Sequence, residues 1–214
     1  MSNEPINLGS QESTEGNDLS DTAFQDISSL YKSEVVVPLE KPSVQMILCP
    51  VGLVGAGKST VIKPIAKKLS LVRISTDEIR KLLKENGYNY TRVREIAFMI
   101  ISDYLSEGYS IVIDADCVDR EARRGIAQLV EKYRLKTVWI HINPPEDFII
   151  DKLKNFRHTW LFKDAEEAID IYQKRKPLHE EYLKLISFDF IFDTSKKDLN
   201  EQVSNFIERF NNDG

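Results

Sequence analysis

The stretch from Gly52 to Ser59 has the residue types and the spacing of a loop that binds phosphate groups. It reads Gly-Leu-Val-Gly-Ala-Gly-Lys-Ser and fits the pattern G-x-x-x-x-G-K-[ST] at every fixed position. Glycines let the backbone wrap closely around an anion and point successive N–H groups at phosphate oxygens. Lys58 is expected to reach the β- and γ-phosphates, and the Ser59 hydroxyl is placed to bind Mg²⁺. The sequence therefore predicts binding of a nucleoside triphosphate.

The residues on either side of this phosphate-binding loop support the same interpretation. The apolar run Met46–Val51 precedes it, and Thr60–Leu69 has the spacing of an amphipathic helix, whose N-terminus favours anions. A glycine-rich turn that only connects a strand to a helix is the alternative, and the Lys-Ser pair favours nucleotide binding. The expected nucleotide-binding residues are Gly52, Gly55, Ala56, Gly57, Lys58, Ser59 and Thr60.

A carboxylate and a guanidinium follow the second predicted strand. Asp77 and Arg80 are three residues apart, on one face of a helix that starts near Ser75. Asp77 could simply suit the dipole at that helix N-terminus. At a strand end, however, it also lies near the expected γ-phosphate, where an acceptor hydroxyl would lose its proton, and Arg80 could hold an anionic acceptor. The geometry favours a catalytic role for both residues.

The third predicted strand also ends in a carboxylate, that of Asp114. An apolar strand that ends in Asp, placed after a phosphate-binding loop, is where such folds keep a carboxylate that holds Mg²⁺ through water. A turn is the alternative, since Asp is common at strand ends. We therefore expect Ser59 and Asp114 to form the metal site. For Asp116 the sequence favours neither a functional role nor a turn over the other.

Basic residues after the fourth predicted strand could close over the triphosphate as a lid. They are Lys152, Lys154, Arg157, His158 and Lys163, with Lys174, Arg175 and Lys176 further along. Cations there would neutralise charge that develops during transfer. Because acids are interleaved, a solvent-exposed helix face is the alternative. We favour the lid for Arg157, as a catalytic residue, and the exposed face for Lys174–Lys176.

Length and charge limit the class of protein. With 214 residues, of which 42% are hydrophobic, the chain can build one full α/β core. Residues 1–43 hold eight acids and two bases, a net charge of −6, so the whole-chain charge of −5 leaves +1 for residues 44–214. No broad basic face for nucleic acid is expected on that near-neutral part. We predict a disordered acidic tail, 1–43, in which composition indicates disorder for residues 1 to about 30, and one folded domain, 44–214.

The sequence shows no basic segment followed by an apolar leader, and no run approaches the roughly 20 apolar residues of a membrane span. No membrane partner is expected. Cys49 and Cys117 each stand beside a predicted strand, so buried free thiols are expected, which suits a reducing cytoplasm. The three histidines lack zinc spacing, and no structural metal is predicted.

Strands and helices alternate from residue 44 onward. The clearest helix follows Thr91, a candidate N-cap, and is expected to stop at Gly108. This alternation predicts an α/β fold with a five-stranded, mostly parallel sheet, helices on both faces, and ligands at the carboxyl ends of the strands. The five candidate strands are Val44–Pro50, Leu71–Ser75, Ser110–Asp114, Thr137–Ile142 and Phe188–Phe192.

Together these motifs resemble the small P-loop kinases, and most of all the polynucleotide-kinase-like and zeta-toxin-like ATPase group. The resemblance rests on the phosphate-binding loop, the Asp77-x-x-Arg80 pair, the Gly-Tyr-Ser-Ile-Val-Ile-Asp-Ala strand and the basic lid, and it covers residues 45 to about 210. Phe188–Ser195 is similar to the group's last strand and its purine-side loop. The resemblance implies a three-layer P-loop NTPase fold with a small lid.

It also implies roles for single residues. Lys58 and Ser59 would hold the triphosphate and Mg²⁺. Asp77 would be the general base, and Arg80 would position the acceptor. Arg157 would be a lid arginine.

Two positions depart from the group's pattern. Lys154 stands where a second lid arginine is common, and lysine cannot reproduce a bidentate guanidinium fork. Asp116 stands where these kinases commonly carry Asn or Thr, and an added carboxylate would repel a phosphorylated acceptor. No N-K-x-D motif precedes the last helix, so ATP is the expected nucleotide.

The leading hypothesis is a kinase that moves the γ-phosphoryl of Mg·ATP to a hydroxyl on a small molecule. A polynucleotide 5′-kinase is the alternative among enzymes, less favoured because the body is near neutral. An ATP-gated binding protein that phosphorylates nothing is the alternative from another class. The acceptor pocket is expected between Asn86–Thr91, with Tyr88 and Tyr90, and the residues after Asp116.

Overall fold

The computed structural model describes residues 16–155 and 161–212, and a parallel sheet of five strands lies at the centre of this part. The strand order is β2-β3-β1-β4-β5, and every neighbouring pair runs parallel. Each strand lies within two residues of its predicted bounds, so the α/β prediction is confirmed. The strands are β1 (Met46–Val51), β2 (Val72–Ser75), β3 (Ile111–Asp114), β4 (Lys136–Ile142) and β5 (Phe190–Phe192).

Helices cover both faces of the sheet and make the fold three-layered. Strand side chains alternate between the faces, so each face has its own apolar core. One core takes residues from α1, α3, α4 and α5, and the other from α2, α6, α7 and α8. The helices are α1 (Asp21–Glu34), α2 (Lys58–Lys68), α3 (Thr76–Glu85), α4 (Val93–Ser106), α5 (Arg120–Tyr133), α6 (Glu146–Lys154), α7 (Ala165–Leu183) and α8 (Leu199–Asn212). In the described part of the chain, none of them combines the length and the apolarity that crossing a bilayer takes.

The strand order brings the predicted functional residues to one edge. From the central strand β1 the chain passes to the edge strand β2, returns to β3, and only then crosses to β4 on the other side of β1. In parallel register, Ser75 at the end of β2 lies beside Asp114 at the end of β3. The phosphate-binding loop follows the end of β1, which lies between β3 and β4 in the sheet. Such a reversal of strand order opens a crevice at the carboxyl ends of the strands.

The prediction of disorder up to about residue 30 is wrong for the described part of the tail. Helix α1 buries Phe24, Ile27 and Tyr31 against the sheet core, and Ser20 caps its N-terminus by accepting from the amide of Ala23. The segment is polar on average, but its apolar residues recur at helical spacing and together bury one face. A prediction from average composition could not detect that apolar face. Residues 1–15 lie outside the described part.

The predicted N-cap of α4 is also wrong. The helix begins after Arg92, whose side chain makes no capping hydrogen bond, and the hydroxyl of Thr91 donates to Asn89 instead. Tertiary contacts replace the local cap. The guanidinium of Arg92 bonds Glu95 in the first turn and Asp21 of α1. Gly108, with φ of +92°, follows the C-terminus of α4 as predicted.

Candidate active site

The phosphate-binding loop is built where only glycine fits at two positions. Gly57 has φ of +89°, in the left-handed region, and a Cβ there would lie 3.2 Å from Thr194 and 3.3 Å from Nζ of Lys152. A Cβ on Gly52 would lie 2.8 Å from the carbonyl oxygen of Ile142 in β4. At both positions the loop backbone therefore packs too closely against its neighbours to carry a side chain, and it keeps a shape that glycine allows.

Lys58, the first residue of α2, lies folded over this loop. Its Nζ donates to the carbonyl oxygens of Gly52, at 2.7 Å, and Leu53, at 3.1 Å. On the outer side, the hydroxyl of Thr194 donates to the carbonyl of Ala56 at 2.7 Å. This contact places the segment after β5 against the loop, at the position that the sequence comparison with P-loop kinases implied.

Ser59 and Asp114, the expected metal pair, are in contact. The Ser59 hydroxyl donates to Oδ1 of Asp114 at 3.0 Å. The Asp114 side chain is only 2% exposed, and its Oδ2 accepts from Nε of Arg73 at 2.7 Å. Sequence reasoning missed Arg73. The signal was present, because Val72 and Ile74 face the core and the alternation of β2 turns residue 73 to the same face as Ser75.

Asp77 and Arg80 form a direct ion pair on α3. Nη1 of Arg80 donates to Oδ1 of Asp77 at 2.8 Å and to the hydroxyl of Thr76 at 3.1 Å. Capping of α3 is done by Ser75, whose hydroxyl accepts from the amide of Glu78. Asp77 lies in the first turn of α3, where a carboxylate suits the helix dipole, and its side chain is 43% exposed toward the crevice.

Arg80 is held in an unusual environment for a guanidinium. Burial lowers its pKa, and nearby Arg175 acts in the same direction, while Asp77 opposes the shift. Its Nε is buried without a hydrogen-bond partner. Two arginines converge here, and a buried donor faces no acceptor, so this corner favours an anion.

A cavity of about 200 Å³ joins these residues to the phosphate-binding loop. We call it the acceptor cavity. Lys58, Asp77 and Arg80 line it, together with a group of apolar side chains that we call its floor. The floor includes Val93, Ala97, Phe98, Ile101, Ile113, Ala122 and Ile126.

The predicted pocket walls are partly correct. Tyr90, Thr91 and residues beyond Asp116 line the acceptor cavity. Tyr88 is not among the residues that line it, and its backbone forms a parallel bridge with Asn17 of the N-terminal segment. That segment is held to the same loop by Asn89, whose amide donates to Asp18 at 2.7 Å. The tail that sequence treated as disordered thus supports one wall of the cavity.

Two further arginines line the acceptor cavity and were missed as site residues. Arg94 of α4 donates to Asp119 at 2.8 Å and also bonds Glu121. Arg175 of α7 faces the cavity, which corrects its assignment to an exposed face. The two neighbouring lysines do fit the predicted exposed helix face. Lys174 pairs with Asp170 at 2.6 Å, and Lys176 pairs with Glu146 at 2.5 Å.

Asp116 connects the phosphate-binding loop to α7. Its Oδ1 accepts from the amide of Gly52 at 3.2 Å, and its Oδ2 lies 3.7 Å from Nε2 of His179. Burial works against the charged form, but His179, Lys58 and the Gly52 amide outweigh it and lower the pKa of Asp116. Burial, with a contribution from His179, lowers the pKa of His141 to about 4. Asp116 therefore lines the cavity between the phosphate-binding loop and α7.

The catalytic arginine of the predicted lid lies between the two described parts of the chain, at residues 156–160. Arg157, together with Phe156, His158 and Trp160, lies outside the described residues. Lys154 is exposed at the end of α6, while Lys152 points toward Gly57. Burial and the nearby Lys58 lower the pKa of Lys152. Phe162, beyond the undescribed residues, lines the acceptor cavity.

A family model described as an AAA domain matches residues 47–165, more than half of the chain. This protein belongs to the AAA domain family. It is 29% identical over 147 residues to the bifunctional shikimate kinase/3-dehydroquinate synthase of Thermotoga maritima, a match covering 63% of this chain and 28% of that protein. It is 25% identical over 142 residues to the shikimate kinase of Dehalococcoides mccartyi, covering 61% of this chain and 77% of that one.

The fold of this AAA domain protein has a counterpart among solved structures. A chain from the structural study of the PezAT chromosomal toxin–antitoxin system of Streptococcus pneumoniae superposes with a TM-score of 0.56 at 13% identity, covering 90% of this chain and 97% of that chain. At such low identity the likeness shows the fold alone. Family, relatives and fold together place the protein among the small P-loop kinase-like ATPases.

Proposed function

We propose that this protein transfers the γ-phosphoryl group of Mg·ATP to a hydroxyl of a small-molecule acceptor. The observation that carries the proposal is the acceptor cavity, which joins Lys58 of the phosphate-binding loop to Asp77 and Arg80. A protein that only binds nucleotide needs no carboxylate and guanidinium beside an enclosed space at the γ-phosphate end. A kinase needs both, to orient an acceptor and to take its proton.

The residues present fit ATP and Mg²⁺. At Gly52 and Gly57 the loop packs so closely against Ile142 and Thr194 that a Cβ would not fit, so the loop keeps the glycine-dependent shape that lets backbone amides surround an anion. Ser59 and Asp114 offer a hydroxyl and a carboxylate, the hard oxygen donors that Mg²⁺ prefers. We therefore assign nucleotide binding to the loop amides and Lys58, and metal binding to the Ser59–Asp114 pair. Bound Mg·ATP supplies the transferable phosphoryl group and part of the charge neutralisation.

Asp77 is the proposed general base. Its hydrogen bond with Arg80 fixes one carboxylate oxygen, which leaves the second oxygen for the acceptor hydroxyl. Because its side chain is 43% exposed toward the crevice, an acceptor hydroxyl can reach that second oxygen. Arg80 then has two tasks, to orient Asp77 and to attract an anionic group of the acceptor.

The size and lining of the cavity favour a small acceptor with an anionic group. Its volume of about 200 Å³ is below the roughly 300–1,000 Å³ of typical ligand pockets. The apolar floor suits a compact carbon skeleton, and the guanidinium groups of Arg80 and Arg175 suit a carboxylate. Two relatives carry the name shikimate kinase, so shikimate, a small hydroxylated carboxylic acid, is the first defined acceptor to test.

The test offers γ-labelled ATP and Mg²⁺ with three separate acceptors, namely shikimate, a small-metabolite extract, and 5′-hydroxyl RNA. Label transfer to shikimate or to an extract component by the wild type, and its loss in Lys58→Ala, is the expected result. Label only on RNA would replace the proposal with a polynucleotide 5′-kinase. Binding of ATP without label transfer in any of the three would favour the ATP-gated binding protein and contradict the proposal.

A further inference from the structure

Arg73 connects the expected metal site to the first turn of α3, the helix that carries Asp77 and Arg80. Its Nε donates to Oδ2 of Asp114 at 2.7 Å, and its Nη2 donates to Glu78 at 2.7 Å. The Arg73 side chain is 20% exposed, the Asp114 side chain 2%, and the Glu78 side chain 45%. The ion pair with Asp114 is therefore the buried one, in which the charges act on each other most strongly.

The pairing follows from strand alternation. Val72 and Ile74 of β2 face the core that contains α1 and α4, so Arg73 faces the side of the sheet on which α2 lies. On β3, Ile113 faces the first side and Asp114 the second. The parallel register sets Ser75 beside Asp114, and the longer Arg73 side chain reaches along the strand to the same carboxylate.

Both oxygens of Asp114 are engaged. Oδ1 accepts the Ser59 hydroxyl at 3.0 Å, and Oδ2 accepts Arg73. The Ser59 oxygen keeps its lone pairs for a cation, since its proton is donated to Asp114. The carboxylate, by contrast, is paired with a guanidinium and has little net charge left to attract a cation on its own.

We propose that Arg73 is a positioning residue that makes divalent-metal binding at Ser59 and Asp114 depend on nucleotide. This inference rests on the proposed Mg·ATP-dependent function. Arg73 fixes Asp114 as an acceptor for the Ser59 hydroxyl and for metal-bound water, and its positive charge opposes direct binding of a bare cation. Phosphate oxygens must then complete the ligand set, so the cation enters together with the nucleotide.

The test uses Mn²⁺ as the probe, followed by the loss of the electron paramagnetic resonance signal of free Mn²⁺. Without nucleotide, Arg73→Gln is expected to bind Mn²⁺ at least tenfold more tightly than the wild type. Arg73→Lys keeps the positive charge and is expected to behave like the wild type. Adding Asp114→Asn to Arg73→Gln is expected to remove the gained binding, which locates it. Arg92→Gln, which also removes an arginine held by two carboxylates, is the matched control and is expected to change nothing.

A second measurement needs no variant. The affinity of the wild type for a fluorescent ATP analogue, with and without Mn²⁺, reports whether metal and nucleotide bind together. Nucleotide-free Mn²⁺ binding by the wild type as tight as that of folded Arg73→Gln would overturn the inference about Arg73. If Mn²⁺ leaves nucleotide affinity of the wild type unchanged, the failure belongs to the proposed Mg·ATP function instead.

Discussion

The guanidinium of Arg80 donates a hydrogen bond of 2.8 Å to the carboxylate of Asp77, one turn earlier on α3. This pair lies beside the acceptor cavity, in front of the lysine of the phosphate-binding loop. The base and the residue that would attract the acceptor are thus fixed to each other by one helix turn. Movement of α3 would displace both together.

Replacing Arg80 by lysine is expected to raise the KM for the acceptor about tenfold or more, because lysine keeps the charge and loses the planar fork. Nucleotide affinity should not change. Stability should change by less than about 1 kcal/mol, because the substitution removes a buried Nε that has no partner. Initial rates over a range of acceptor concentrations check the first point, with Arg120→Lys, an exposed position on α5, as the control. An unchanged KM would remove Arg80 from acceptor binding.

Gly57→Ala is expected to weaken ATP binding by about tenfold or more, because a strained left-handed residue with a Cβ 3.2 Å from Thr194 and 3.3 Å from Nζ of Lys152 would displace the loop backbone. Gly87→Ala is the matched control. Gly87 also has a positive φ, +77°, but a Cβ there would meet nothing within 4 Å. Both variants should lose a similar amount of stability, about 1 kcal/mol. Calorimetric titration with ATP compares the affinities of the two variants. Equal ATP affinities would contradict nucleotide binding by this loop.

Tyr31→Phe is expected to destabilise the protein by about 2 kcal/mol, because the amide of Ser75 would lose a buried acceptor. In the native structure that amide donates to the Tyr31 hydroxyl at 2.7 Å. Tyr104→Phe removes a hydroxyl with only a long, 3.5 Å contact to Lys32, so about 0.5 kcal/mol is expected there. Urea denaturation compares the two. Equal losses would mean that α1 does not hold the end of β2 through Tyr31.

Stability is expected to fall as the pH drops from 6.5 to about 4. Burial lowers the pKa of His141 from 6.5 to about 4, so in this window the unfolded chain binds a proton that the folded chain does not. The effect is on the order of 3 kcal/mol in full. The neighbouring Asp116, with a lowered pKa, loses its contribution only at still lower pH. Urea midpoints between pH 4 and 7 should show a shallower slope for His141→Gln. An identical slope would exclude His141 as the cause.

The sequence was sufficient for the sheet and for the residues at its carboxyl edge. Short apolar strands next to fixed motifs have few alternatives, so Ser59, Asp77, Arg80 and Asp114 could be placed at one edge before any coordinates. Their contacts at 2.8 Å and 3.0 Å follow from the parallel register and from helical spacing.

The cavity walls could not be predicted in the same way. Arg175 lies far along the chain from most residues of the cavity that it lines, and its local context, between two surface lysines, is that of an exposed helix. Helix α1 was not predicted from the sequence, for a different reason. Its composition is polar, and only the positions of Phe24, Ile27 and Tyr31 show that one face is apolar.

The proposed roles depend most directly on Asp77. The decisive measurement is the rate of phosphate transfer from γ-labelled ATP to the acceptor by the wild type, Asp77→Asn, and Asp103→Asn, a similarly exposed carboxylate that pairs with Lys32 far from the cavity. Loss of a general base typically lowers the rate by 10²–10⁴-fold, and we expect that loss for Asp77→Asn alone, with ATP affinity unchanged. Transfer by Asp77→Asn at the wild-type rate would contradict the proposed mechanism.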